Sequence, residues 1–166
     1  MPGSASLDLF LLRHGIAEER VAGRDDPERA LTPPGRQRTL AVVRRLRSLG
    51  FSADRLLSSP LRRARETAEL ALQAGLASEL QLESRLMPGG DCDALLPSLE
   101  GRCLLVGHEP DLSAFAARLL GAPEQSIRLR KAGFCHLHVP AGQGGARSGA
   151  QLEALLRPRF LLPRSV

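Results

Sequence analysis

The sequence has no tryptophan, no tyrosine and five phenylalanines in 166 residues. Proteins that hold single-stranded nucleic acid stack bases on aromatic side chains, so nucleic acid is not expected as the main ligand. Lysine is scarce too: among 23 basic residues, Lys131 alone is a lysine. The three cysteines, Cys92, Cys103 and Cys135, show no CxxC spacing, which argues against a disulfide framework or a structural zinc site. Cys103 reads as an inert buried thiol. No apolar run approaches the ~20 residues that span a bilayer. The opening MPGSASLD has neither a basic segment nor a long apolar core, so a cytoplasmic protein without membrane contact is expected.

What is present is ordinary in bulk. The length suits a single domain over residues 1–166, and 43% hydrophobic with 25% charged residues suits a globular one. The net charge is +5 and rests almost wholly on arginine, whose planar fork favours phosphate and carboxylate. The plainer reading of that excess is a compositional bias.

Leu7–Leu12 reads as a strand buried on both faces, and EERVAGRDDPERA as a polar loop. Thr32 should cap a helix with Pro33 in its first position. Leu40, Val43, Leu46 and Leu49 form the helix's apolar stripe, and Gly50 ends it. DRLLSS predicts a second strand. Ser59 as cap and Pro60 as first residue predict a helix to about Ala74, stopped by Gly75. Gln81–Leu86 predicts a brief strand, followed by the turn PGGD and a helix from about Asp91 to Leu99. RCLLVGH predicts a third buried strand. Leu112, Phe115, Ala116, Leu119 and Leu120 mark an amphipathic helix starting near Pro110. Residues 126–139 and 151–157 predict two more strands, joined as a loose hairpin by AGQGGARSGAQ. Strands alternating with helices imply an α/β fold, a three-layer sandwich with a mainly parallel central sheet flanked by helices.

In such sheets ligands bind beyond the carboxyl ends of the strands. The first strand ends on Arg13-His14-Gly15, the second on Ser58-Ser59 followed by PLRRARETA, the third on Gly107-His108-Glu109. Two histidines and several arginines would therefore meet at one edge. Side chains in the first turns of a helix tilt toward its N-terminus, so an arginine of the RRAR cluster can reach back to the strand ends. Helix N-termini add positive potential, and Gly15 permits a close backbone approach to an anion. A neutral imidazole here is a competent nucleophile toward phosphorus, with arginines and the second histidine holding the charge that spreads over the phosphoryl oxygens. No metal or other cofactor is needed, and no metallohydrolase motif is present. Each motif alone also suits a surface or capping residue; their order along the chain is what makes a shared anion site.

With LLRHGIAE, LTPPGRQRT, SSPLRRARETA and LLVGHEPDLS in that order, the chain resembles the histidine phosphatase superfamily, the phosphoglycerate-mutase-like fold, over about Leu9–Leu120. Short length and the PGGD turn make it most similar to the small SixA-type phosphohistidine phosphatases. The resemblance implies His14 as the phosphorylated nucleophile, Arg13 and Arg63 as phosphoryl ligands and His108 as the second histidine of the pocket. Arg62 and Arg65 fall off the motif and read as solvated or ion-paired helix residues.

The chain departs from the pattern in its acid. Mutases and broad phosphatases of the superfamily carry a glutamate general acid in an insertion before the second histidine. Here only residues 64–107 separate Arg63 from His108. The local acids are Glu83, Asp91 and Asp93, none of them in a recognisable acid motif. Asp91 is a possible general acid, but the start of a helix makes an N-cap the simpler reading. Expelling an alkoxide profits from protonation, whereas a phosphohistidine's ring already carries a proton on its other nitrogen near neutral pH. Phosphohistidine in a protein is therefore the expected substrate. A small phosphate ester is the alternative, and a non-catalytic phosphate or phosphoprotein binder a third. His136 and His138, on one face of a strand, are two metal-type ligands without an obvious third, and read as surface or packing residues.

Overall fold

The structure is a computed structural model that describes residues 5–142 and 149–164. Six strands form one sheet: β1 (Leu7–Arg13), β2 (Arg55–Ser58), β3 (Leu80–Leu82), β4 (Gly101–Gly107), β5 (Phe134–Val139) and β6 (Gln151–Leu156). Their order is β3-β2-β4-β1-β5-β6. The first four in that order run parallel, and β5 pairs antiparallel with both β1 and β6. The expected three-layer α/β sandwich is therefore present, its sheet mainly parallel with one antiparallel strand.

Alternation along β1 builds both cores. Leu7, Leu9 and Leu11 face a cluster with Leu105, Leu112 and Phe115. Phe10 and Leu12 face the other side, with Val42, Val43, Leu46, Ala64 and Ala68. That second side is covered by α1 (Pro33–Ser48) and α2 (Arg62–Gln73), the first by α3 (Asp111–Leu120). A short α4 (Pro158–Leu161) follows β6. No helix among the described residues is long and apolar enough to cross a membrane.

The Thr32 side chain caps α1 by accepting from the Gly35 N–H, with Pro33 and Pro34 behind it. The buried face of α1 is Gly35, Thr39, Val42, Val43 and Leu46, a 3.6-residue stripe; Leu40 sits at its margin, and Leu49, at the C-cap, is 48% exposed. A strict three-residue period drifts off a helical face, which is why the expected stripe lost its ends.

Other boundaries also move. α2 begins at Arg62, two residues later than expected, with Leu61 at the cap and no capping side chain. The chain from 81 to 86 is β3 followed by a 3-10 turn, Ser84–Leu86, and the expected helix after Asp91 is a 3-10 helix, Asp93–Ser98, that contains Pro97. Pro97 removes a backbone donor and disfavours a regular α-turn around it. Of residues 126–139 only Phe134–Val139 is strand; the earlier part is a 3-10 turn ending at Ser126 and a loop. Of the expected hairpin connection, residues 141–151, the stretch 143–148 lies outside the described residues.

Candidate active site

The carboxyl ends of β1, β2 and β4 lie side by side, and the His14 N–H donates to the Gly107 carbonyl at 3.1 Å. This places His14 and His108 face to tilted face, their ring centroids 5.2 Å apart. Both are buried, 6% and 3% exposed. The His14 Nδ1 lies 2.7 Å from the Gly15 carbonyl. A carbonyl only accepts, so Nδ1 carries the proton and Nε2 keeps its lone pair. Burial lowers the His14 pKa from 6.5 to about 2, opposed by the Gly15 bond and reinforced by the charges of His108, Arg63 and Arg13. Burial, then Arg63, lowers His108 to about 4. Both rings are neutral at physiological pH.

Arg63 sits in the first turn of α2 and is 1% exposed. Its charge bears on both His14 and His108, and its Nη2 is met at 3.1 Å by Asp25 Oδ2. The other oxygen of Asp25 takes Arg29 Nη2 at 3.1 Å. Arg13 donates to the Leu129 carbonyl at 3.1 Å. The Nε atoms of Arg13 and Arg63 and the Nδ1 of His108 are buried without a partner among the described residues. Buried donors left unpaired cost free energy unless an acceptor arrives, and an oxyanion supplies several acceptors at once.

Gly15 departs from its expected role. Its N–H donates at 3.0 Å to Thr67 Oγ1, which itself donates to the Arg63 carbonyl at 2.8 Å, so this N–H is committed to the scaffold rather than turned to an anion. A Cβ at Gly15 would stand 2.1 Å from Thr39 Oγ1. The glycine is needed for the approach of α1. Ser59, expected as a helix cap, accepts from the Leu61 N–H at 3.3 Å and bonds His108 Nε2 at 2.8 Å, and so orients the second ring. Asp25 and Arg29 lay unread in the polar loop. Their spacing, Asp and Arg four apart, is the one signal that pointed to them.

The three candidate acids, Glu83, Asp91 and Asp93, are all engaged. Glu83 is gripped by Arg85, which lowers its pKa to about 2. Asp93 pairs with Arg118. Asp91, one residue before the Cys92 cap of the 3-10 helix, accepts from the Ala94 N–H through Oδ1 at 3.2 Å, a bond that resembles a cap's. Arg62 and Arg65 pair along α2 with Glu66 and Glu69. His136 and His138 both bond Asp8 Oδ1, at 2.9 and 3.2 Å, and His136 also packs on Phe10. No group of three such side chains among the described residues is arranged to hold a metal ion.

The molecule is thus an α/β sandwich with two neutral histidines set among arginines at the carboxyl edge of its sheet. The sequence model of the histidine phosphatase superfamily (branch 1) matches residues 9–95. An uncharacterized protein of Picosynechococcus sp. is 37% identical over 165 residues, covering 95% of this chain and 100% of that one. The chain belongs to the histidine phosphatase superfamily. Among solved structures, the protein histidine phosphatase SixA complexed with tungstate superposes with a TM-score of 0.80 at 23% identity, covering 93% of this chain and 99% of that one. A mycobacterial glucosyl-3-phosphoglycerate phosphatase superposes with a TM-score of 0.69 at 19% identity, over 89% and 97% of the two chains.

Proposed function

We propose that this protein is a hydrolase that removes phosphate from phosphohistidine in a protein, through a phosphorylated His14. The observation that carries the reading is the state of His14: buried, neutral, its Nδ1 proton held by Gly15 and its Nε2 free. Nε2 attacks phosphorus, and the P–N bond of the substrate breaks. The departing imidazole takes the electron pair and keeps the proton already on its other nitrogen. Arg13, Arg63 and His108 hold the phosphoryl oxygens, the transfer being one of positioning and charge stabilisation. Water then adds to phosphorus and releases phosphate, restoring the lone pair of His14.

The choice of leaving group follows from the engaged acids. Glu83, Asp91 and Asp93 are each held by other partners, and an imidazole leaving group asks least of a proton donor. A small phosphate ester is the second reading, supported by the likeness to a glucosyl-3-phosphoglycerate phosphatase. Turnover of a phosphohistidine peptide, an aryl phosphate and an alkyl phosphate, each with and without chelator, separates them. Phosphohistidine should be hydrolysed fastest, with no loss on chelation; preference for the alkyl ester overturns the reading. His14→Ala should abolish turnover in a folded protein. Labelling should trap phosphate on Nε2 of His14 in the wild type, and a protein that binds phosphate without labelling is a binder rather than an enzyme.

A further inference from the structure

The ground beside His14 is cationic on one side only. β5 runs antiparallel to β1, so the chain entering β5 and the chain leaving β6 both lie at the edge where His14 sits. The loop before β5 is stitched to the nucleophile: the Ala132 N–H donates to the Arg13 and His14 carbonyls at 3.1 Å, and the Arg13 N–H to Gly133 at 3.1 Å. Next to this seam lies a depression of about 390 Å³ lined by Ile16, Arg38, Arg130, Lys131, Arg157 and Arg159 with Pro158. Five cations therefore come from four separate places: α1, the loop before β5, the end of β6 and α4.

Among the described residues none of the five forms an ion pair. The loop across the site behaves differently. There Asp25 meets Arg20, Arg29 and Arg63. The field of the uncompensated group reaches the site: Lys131 is held below its usual pKa by burial and then by Arg13, Arg29 and Arg63, and Arg13 is lowered first by burial, with Glu109 opposing and Arg130 adding to the shift. Apolar side chains border the cations. Ile16 is 41% and Phe160 68% exposed, and the Arg159 guanidinium lies 4.6 Å from the centre of the Phe160 ring.

A single phosphate needs one or two arginines. Five cations on four elements, edged by exposed apolar groups, suit a longer ligand that carries several negative charges and some apolar surface, and charge complementarity of this kind sets encounter and orientation. We propose that this surface docks an acidic segment of the phosphorylated protein, so that carboxylates flanking the phosphohistidine lie along Arg38, Arg130, Lys131, Arg157 and Arg159 while the phosphoryl group enters between His14 and His108. The inference rests on the protein phosphohistidine reading above, and its test separates the two.

Two peptides with a central phosphohistidine, flanked by glutamates or by glutamines, are compared at low salt with an aryl phosphate. The wild type should show kcat/KM roughly tenfold higher for the glutamate peptide, the sum of several modest surface attractions, and 0.5 M salt should erase the difference. Arg38→Glu/Arg159→Glu should remove or invert the preference and leave aryl phosphate turnover unchanged; Arg38→Gln/Arg159→Gln, a milder change, should reduce it. Arg44→Glu/Arg47→Glu, on exposed positions of α1 outside the depression, alters net charge equally and should keep the preference. Equal rates on the two peptides, or equal loss in this control, overturn the proposal. If neither phosphopeptide is hydrolysed, fluorescence anisotropy with the unphosphorylated peptides decides. Selective binding of the glutamate peptide, lost in Arg38→Glu/Arg159→Glu, upholds the docking surface while the phosphohistidine reading falls; binding without selectivity overturns the docking surface as well.

Discussion

Arg63 and its neighbours show how much one position along a helix decides. Arg62 and Arg65 point outward to Glu66 and Glu69, while Arg63 is inside with a buried, unpartnered Nε. Arg63→Ala should lower kcat/KM by roughly 10²-fold or more, the loss of a charge-assisted contact that strengthens in the transition state. Arg62→Ala and Arg65→Ala should stay within about threefold, because exposed ion pairs of this kind contribute little. Equal losses across the three variants would mean that the wrong arginine has been placed in the pocket. Asp91 offers a second test at this scale. Asparagine caps nearly as well as aspartate, so Asp91→Asn should leave both phosphohistidine and ester turnover near the wild type. A collapse confined to alkyl esters would instead make Asp91 the proton donor. The protein also holds an acidic occupant of its own, Asp25 on Arg63; in the proposed reaction an arriving phosphoryl group must share or displace that contact.

Between β1 and α1 the packing is governed by Gly15 and Thr39. Gly15→Ala would drive its Cβ into Thr39 Oγ1, and relief requires the Thr39 side chain to turn or α1 to shift away from the strand. Overpacking of this kind costs about 1–3 kcal/mol, and movement of the Gly15 carbonyl would also disturb the Nδ1 proton of His14. Adding Thr39→Ala, which removes a buried hydroxyl that has no partner among the described residues, should restore much of both stability and activity. The coupling shows as a non-additive double-mutant cycle in urea denaturation and in kcat. Elements of this kind were only partly legible in the sequence. Strand ends carrying Arg13, His14 and His108 could be read because short apolar runs stop abruptly on charged residues. The fourfold spacing of Asp25 and Arg29 was visible, but nothing local said that their loop folds over α2. Ser59 looked like a helix cap because its bond to His108 spans 49 positions of sequence, beyond the reach of any local pattern. Pro97 and the loop before β5 likewise bent elements whose apolar pattern alone promised a longer helix and a longer strand.

For the whole molecule, the two buried imidazoles set an acid limit. Their native pKa values, about 2 and about 4, lie below the ordinary 6.5. Above pH 6.5 native and unfolded chains both carry neutral rings, and there is no penalty. Below it the unfolded chain takes up protons that the native pocket refuses, so stability falls as pH drops from about 6.5 toward 4. The carboxylates of Asp8, Asp25 and Glu83, all held below their usual range, add a second loss from about pH 4.5 downward, because their native charge pairs disappear as they are protonated. Melting temperature against pH should therefore fall in two stages. His108→Gln should roughly halve the slope of the first stage, His14 supplying the rest, and leave the second; an unchanged first stage would place its origin elsewhere. The order of strands has a further consequence, in time rather than in energy. β1 lies between β4 and β5, with Leu7 paired to Gly101 on one side and to Val139 on the other. β1 leaves the ribosome ahead of both its partners and stays unpaired until β4 has followed. Pairings this distant close slowly, and an apolar strand with open edges is exposed to aggregation while it waits. His14 is made early and completed last: its surroundings are assembled only when the sheet closes around it.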